Sequence, residues 1–282
     1  MTLPNFVSLR PLKNIKPEIN AQRSRRPLKD FVNDVNKKQE TASVKPPEIL
    51  YENDDFIAVN KPAGLLTLPD RFDAGLPSLA GLLEKRLGKI FIVHRLDRDT
   101  SGLILFAKHE QSHQYFSQLF ASRQVEKYYY ALVNGQMPEE KGRIDAPLGE
   151  HPVRKGKMTV QKKGKSAVTL YEVSERFALY NWLTVQILTG RTHQIRVHMQ
   201  SCGHPVVMDE LYGTAHPVFL SAIKRRYHSG KNQEEERPLL SRLALHAYRL
   251  HFPLPSGEHF SLEAPLPRDL QATLTQLRKH GS

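Results

Sequence analysis

Residues 93–108 read VHRLDRDTSGLILFAK. Five ionisable side chains, His94, Arg95, Asp97, Arg98 and Asp99, crowd together and run directly into the apolar segment Leu103–Ala107. A folded chain rarely sets Asp or Arg against a buried strand unless the charges are paired. The stretch is therefore either a salt-bridged turn or a reactive site carried on a rigid strand. Taken alone it fits the turn better. A carboxylate there becomes a nucleophile or base only if it stays ionised in a site shielded from water, a state that a neighbouring guanidinium favours.

Working outward, the second charged cluster is LTGRTHQIRVH, residues 188–198. It places Arg191, His193, Gln194 and Arg196 at the start of a predicted helix, with Thr192 as its N-cap and Gly203 after its end. Backbone donors and the positive dipole end suit phosphate there. Arg191 is the candidate for the phosphate backbone, and Arg196, a turn further in, for an inward carboxylate partner. Between the two clusters lies KYYYALV, residues 127–133. Strand alternation sends Tyr128 and Tyr130 to one face and Lys127, Tyr129 and Ala131 to the other. Three tyrosines in a strand ordinarily mean packing, although one facing a cleft can stack on a nucleobase.

The flanking segments set the fold class. EILYENDDFIAVNKP (48–62) predicts a hairpin, SLAGLLEKRLG (78–88) a helix ended by glycine, and EQSHQYFSQLFASR (110–123) an amphipathic helix with Tyr115, Phe116, Leu119 and Phe120 on one side. Two long β-runs follow, with Asn181 near the bend between them. The chain closes with a hairpin and a helix carrying Leu270, Leu274 and Leu277. Strands dominate and helices interleave irregularly, which predicts an α+β fold with a mixed, mostly antiparallel sheet and flanking helices.

Composition narrows the function classes. Forty-one Lys and Arg against 29 Asp and Glu leave a net charge of +12, which favours a polyanionic partner, most often nucleic acid. Residues 1–47 hold ten basic and four acidic residues, hence +6 of that total, and few large apolar ones. They read as a basic, disordered N-terminal arm, with the folded domain over 48–282 and a charged surface insertion at about 215–240. No run approaches the ~20 apolar residues of a membrane span, and the N-terminus does not read as a secretory signal. The single cysteine, Cys202, fits a reducing, cytoplasmic setting. His109 and His113 have helical metal-pair spacing but no third ligand nearby, so no metal is expected. No phosphate-binding glycine loop is present, which disfavours nucleotide cofactors.

The segments ILYENDDFIAVNKPAGLLTLP, HRLDRDTSGLILFAK, KYYYALVNG, LTGRTHQIRVHMQSCGHPVVMDELYG and LALHAYRLHF, in this order over about residues 48–266, resemble the RluA-type RNA pseudouridine synthases. The resemblance implies a mixed sheet split by a central RNA-binding cleft, the pseudouridine synthase fold. It implies Asp97 as the catalytic nucleophile, Arg196 as its ion-pair partner, and Tyr129 stacking on the target base and assisting proton removal. Arg95 would help displace the uridine, and His94, Arg191, His193 and Gln194 would complete the RNA-binding set. The reaction needs no cofactor, the partner is transfer or ribosomal RNA with no membrane, and the protein is expected to be a monomer. Two features depart from the family. Met208 stands where a glycine is expected in GHPVVMDELYG, and residues 1–47 are too short to form the upstream RNA-binding domain that many members carry. A non-catalytic RNA-binding protein on the same fold is the alternative if Met208 disables the site. A glycosidase would require a second carboxylate flanking the bond, for which the motifs offer no candidate.

Overall fold

The computed structural model describes residues 47–73, 75–224, 227 and 236–281. The basic arm falls outside these residues except for Pro47, and so does the centre of the 215–240 segment. The predicted first hairpin is present as β1 (Glu48–Glu52) paired antiparallel with β2 (Phe56–Lys61). Asn53 Oδ1 accepts the N–H groups of Asp55 and Phe56 to close its turn. Helix α1 (Leu79–Leu87) begins on Ser78, whose Oγ accepts the Gly81 N–H, and ends at Gly88 with φ 78°.

The charged stretch that opens the sequence reading joins β3 (Phe91–Ile92) to β4 (Ser101–Ala107). All seven residues of β4 are buried, the mark of a strand covered on both faces. Ile104 and Phe106 enter the larger core with Ile57 and Val59 of β2. Leu103, Leu105 and Ala107 enter a second core with Phe116 and Leu119 of α2 (Glu110–Ala121). A strand locked between two cores is a stiff mount for whatever precedes it.

The remaining strands are β5 (Glu126–Asn134), β6 (Lys141–Asp145), β7 (Leu148–Glu150), β8 (Met158–Val160), β9 (Val168–Arg176), β10 (Tyr180–Ile187), β11 (Leu245–Pro253) and β12 (His259–Glu263). Ten strands form one sheet with the path β1-β2-β4-β11-β5-β10-β9-β6, with β3 beside β4 and β12 beside β11. Every pairing is antiparallel except β4 with β11, so the predicted mixed, mostly antiparallel α+β class holds. The parallel pairing is short, joining only Ser101–Gly102 to His246–Ala247. A Cβ on Gly102 (φ 117°) would strike the Ala247 carbonyl, so glycine is what allows the two strands to meet. Beyond that point β3 takes over the edge of β4. The sheet therefore splits between β4 and β5–β11, and a cleft opens at the split.

Helices α3 (Gln194–Ser201), α4 (Leu220–Ile223) and α5 (Arg268–His280) complete the set. Leu270, Leu274 and Leu277 of α5 are buried in the larger core, as their spacing predicts. Two expectations are corrected. Helix α3 starts one residue later than Thr192 implied: its N-cap is His193 in the left-handed region, with no side-chain cap bond. The 215–240 segment is not wholly a surface loop, because Val218, Ile223 and Leu240 are buried and Val218 bridges Leu240. Strands β6 to β8 form from the runs KGRID, LGE and MTV, which are too short or too polar for alternation to announce them.

Candidate active site

The Asp97 loop is gripped from below by the segment after β2. Thr67 Oγ1 donates to the Leu96 carbonyl (2.8 Å) and accepts the Leu96 N–H (3.2 Å). Gly64 N–H donates to the Arg98 carbonyl (2.9 Å), and Arg98 Nε returns a bond to the Gly64 carbonyl (3.1 Å). Lys61 is fully buried and donates Nζ to the carbonyls of Pro62, Leu65 and Arg98 at 2.8–2.9 Å. Three acceptors match the three N–H bonds of an ammonium. Burial pulls the Lys61 pKa down to about 7, with Asp99 and Asp97 opposing. At the start of β4, Ser101 Oγ lies 3.0 Å from His246 Nδ1 and accepts from Arg242, itself paired with Asp269 of α5. With the loop backbone fixed on both sides, the Asp97 carboxylate is left one-fifth exposed.

Facing it across the cleft is the first turn of α3. Arg196 is buried, and its Nε and Nη2 donate to Asp209 Oδ2 and Oδ1 at 2.7 and 2.8 Å. Its Nη1 stands 3.7 Å from Asp97 Oδ2. The expected Asp97–Arg196 pair is thus present but secondary, and the bidentate partner is Asp209. Burial works against the Arg196 charge, and Asp209's hydrogen bonds and charge outweigh it, so the pKa rises. Asp209 is completely buried, and its Oδ1 also accepts the N–H groups of Leu211 and Tyr212. Met208, the residue in the expected glycine position, adopts the glycine-like conformation itself, φ 59°. The Asp209 N–H bonds the Val206 carbonyl at 3.2 Å. This closes a type II-like turn that requires positive φ at its third residue, so the turn keeps its form and Asp209 its place.

His193 Nε2 lies 3.9 Å from Asp97 Oδ2, and His193 Nδ1 lies 2.8 Å from the Tyr212 hydroxyl. That hydroxyl accepts the Met158 N–H (2.8 Å), so its own proton is free for Nδ1. Donation by Tyr212 to Nδ1 places the ring proton on Nε2, the nitrogen that faces Asp97. Burial lowers the His193 pKa, with Asp97 opposing. The Tyr212 ring also covers the Arg196 guanidinium at 5.1 Å. Tyr129 is buried in the cleft wall on the face that alternation predicts, and burial followed by the Asp97 charge pushes its phenol well above the ordinary value.

The other predicted residues divide. Arg95 is exposed at the cleft, and Arg191 lines it with Nε committed to the Ser166 carbonyl at 2.9 Å. Gln194 is a correction: it is buried, its Oε1 accepts from Thr189 and the Arg191 N–H, and its Nε2 donates to Val168 and Thr169. Its amide is spent on fixing the start of α3, not on a ligand. His94 stacks on Phe120 (4.5 Å) and accepts the Leu105 N–H, and burial pulls its pKa down to about 3. It braces the wall as a neutral ring. Sequence reasoning passed over Lys61, Thr67 and Tyr212, and reached Asp209 only through its oddly placed neighbour. A lysine closing a strand that opens on the apolar run Phe56–Val59 was the one local signal for Lys61.

Together these walls enclose a cleft of about 510 Å³, a size suited to a small ligand group. Among the described residues no helix is long and apolar enough to cross a membrane, and no cluster of His, Cys, Asp or Glu could hold a metal ion.

Residues 55–201 match the family model described as RNA pseudouridylate synthase. The chain is 37% identical over 251 residues to the ribosomal large subunit pseudouridine synthase D of Nitrosomonas europaea, covering 86% of this chain and 69% of that protein. It is 39% identical to the protein of the same name from Neisseria meningitidis serogroup B, 82% of this chain spanning 61% of the relative. Among solved structures, human RNA pseudouridylate synthase domain containing 1 superposes with a TM-score of 0.61 at 27% identity, covering 86% of this chain and 98% of its own. With that match over more than half of its length and these relatives, this chain belongs to the RNA pseudouridylate synthase family, a family of isomerases.

Proposed function

We propose that the protein converts uridine to pseudouridine in structured RNA with Asp97 as nucleophile, and that its substrate is ribosomal RNA, with transfer RNA as the second possibility. The observation that carries the reading is the Asp97 carboxylate held rigidly in a cleft, 3.7 Å from a guanidinium whose hydrogen bonds are given to Asp209. Arg196 thereby places positive charge beside Asp97 without tying up its lone pairs, which leaves a carboxylate oxygen available to attack. The names of the two bacterial relatives favour ribosomal RNA.

A uridine cannot be isomerised within the stack, so it is flipped into the cleft at a cost of a few kcal/mol. Arg95 stands exposed at the mouth to fill the space it leaves. Asp97 attacks carbon 1′ of the ribose or carbon 6 of uracil, or removes a ribose proton, and the bond between N1 and carbon 1′ breaks. The uracil turns and forms a bond from carbon 5 to carbon 1′ as the carboxylate of Asp97 is released, by displacement from carbon 1′, by elimination from carbon 6 or by return of the ribose proton. The carbon 5 proton leaves, and N1 ends protonated, so atoms and charge balance without a co-reactant. Tyr129, a neutral phenol, offers a stacking face and a hydroxyl that relays this proton.

The glycosidase reading would need Asp209 as second carboxylate, but Asp209 lies fully buried behind Arg196. The intact turn at Met208 counts against an inactive binding protein. The test is tritium release from ribosomal RNA carrying tritium at carbon 5 of uridine. Wild type is expected to release it, and folded Asp97→Asn to lose at least about a thousandfold in rate while still binding RNA. Turnover by folded Asp97→Asn would remove the nucleophile assignment.

A further inference from the structure

Two buried lysines flank the Asp97 loop, and their surroundings differ. Lys61 satisfies all its donors on three carbonyls with Asp97 and Asp99 nearby. Lys127 is 7% exposed, lines the cleft on the same strand face as Tyr129, and has one long bond, to the Val125 carbonyl at 3.4 Å. Its Nζ sits over the Phe120 ring at 5.8 Å. Its charged neighbour is Arg123, which together with burial lowers its pKa. The adjacent His94 is held neutral, in part by Lys127 itself.

Among the described residues no carboxylate pairs with Lys127, Arg123 or Arg95, although all three line one cleft. Arg123 adds a second oddity. It sits at φ 62° in the capping position after α2, with its N–H bonding Phe120 and the next N–H bonding Leu119. Glycine is usual at that point; arginine there puts a cation at the cleft edge instead. An unpaired buried ammonium is costly, and a cation left without a counter-charge in a cleft is a candidate binding group. What the wall lacks is an anion.

We propose that Lys127, with Arg123 beside it and Arg95 lining the same cleft, seats one phosphodiester of the RNA strand next to the nucleotide that enters the Asp97 pocket. This rests on RNA being the substrate. Lys127 and Tyr129 stand two positions apart on β5, about 7 Å along the strand, within the reach of one nucleotide. Lysine acts on phosphate as a point charge and arginine as a fork, so the cluster grips a phosphate without reading a base.

The experiment compares full-length wild type, Lys127→Met and Lys127→Arg. Three readouts are taken: melting temperature without RNA, the salt dependence of binding to an unstructured 20-nucleotide uridine-rich RNA, and turnover on a large-subunit ribosomal RNA transcript. Lys127→Met is expected to melt above wild type, because an uncompensated buried charge is gone. Its plot of log affinity against log salt should be shallower by about 0.7, the loss of one phosphate contact to a single strand. The KM should rise at least about fivefold, with the loss falling on KM more than kcat. Lys127→Arg should restore the slope. A lower melting temperature with an unchanged slope would make Lys127 a structural residue and overturn the proposal. Because the slope reports binding alone, it decides this point even if no pseudouridine forms, an outcome that would instead sink the catalytic reading.

Discussion

Arg196 is shared between two carboxylates, hydrogen-bonded in bidentate fashion to Asp209 and 3.7 Å from Asp97. The division of labour follows from geometry. A guanidinium fork saturates one carboxylate, and the buried one takes it. Asp97 receives the field of the charge without its hydrogen bonds.

Removing the anchor should therefore damage both stability and chemistry. Asp209→Asn leaves Arg196 buried without its counter-charge, a loss of about 3–5 kcal/mol, measurable by denaturant unfolding. Arg196 would then be free to turn its donors to Asp97, and turnover should fall by about a hundredfold. Arg196→Lys should fail similarly, since an ammonium cannot span both Asp209 oxygens. Unchanged stability in folded Asp209→Asn would show that the pair carries no such load.

Met208→Gly sets two effects against each other. Glycine relieves about 1–2 kcal/mol of left-handed strain. It also removes a buried side chain worth about 1.5–3 kcal/mol and loosens the unfolded chain by about 0.4–1 kcal/mol. Burial wins, so a net loss of about 1 kcal/mol is expected with activity retained, because the turn and Asp209 stay in place. A stabilised variant would mean that the strain outweighs the packing of Met208 in the core.

Lys61 gives stability a pH dependence of definite sign. Its pKa is near 7 in the folded protein and near 10.5 when unfolded. Between these values the unfolded chain binds more protons, so stability rises with pH, by at most about 1.4 kcal/mol per unit. Lys61→Met should abolish that rise between about pH 7 and 10. Parallel stability curves for the two proteins would show that Lys61 stays charged throughout.

Tyr129 should act only as a neutral phenol, since burial and Asp97 both oppose phenolate. The pH–rate profile should then show no tyrosine limb below about pH 10. Tyr129→Phe keeps a stacking ring, so RNA affinity should hold while turnover falls by about a hundredfold or more, the scale of a lost proton-transfer group. A weaker affinity in Tyr129→Phe, with turnover intact, would assign the hydroxyl to binding.

The arm at residues 1–47 carries +6 charge. Its deletion should weaken RNA binding and flatten the salt dependence by roughly 0.7–0.9 per lost phosphate contact, leaving the modified uridine unchanged. Mapping pseudouridines after treatment with each protein checks both halves. A shifted position would mean that the arm selects the target.

The sequence determined whatever is local in period or type. Alternation placed Tyr129 and Lys127 on one face, an unbroken apolar run made β4 a doubly covered strand, and the spacing of Leu270, Leu274 and Leu277 fixed the buried side of α5. The motif around Asp97 pointed to the loop that lines the cleft. Only the tertiary structure decided partners. Asp209 lies 13 residues from Arg196, whereas Asp97 lies nearly a hundred away, and nothing in their one-dimensional order ranks the two as acceptors. Likewise Gln194 reads as a polar helix residue free to bind RNA until folding surrounds its amide with Thr169, Thr189 and two backbone groups. Burial of a polar side chain, and the groups that compensate it, are set by strands distant in sequence, and that is the part of the site that periodicity does not encode.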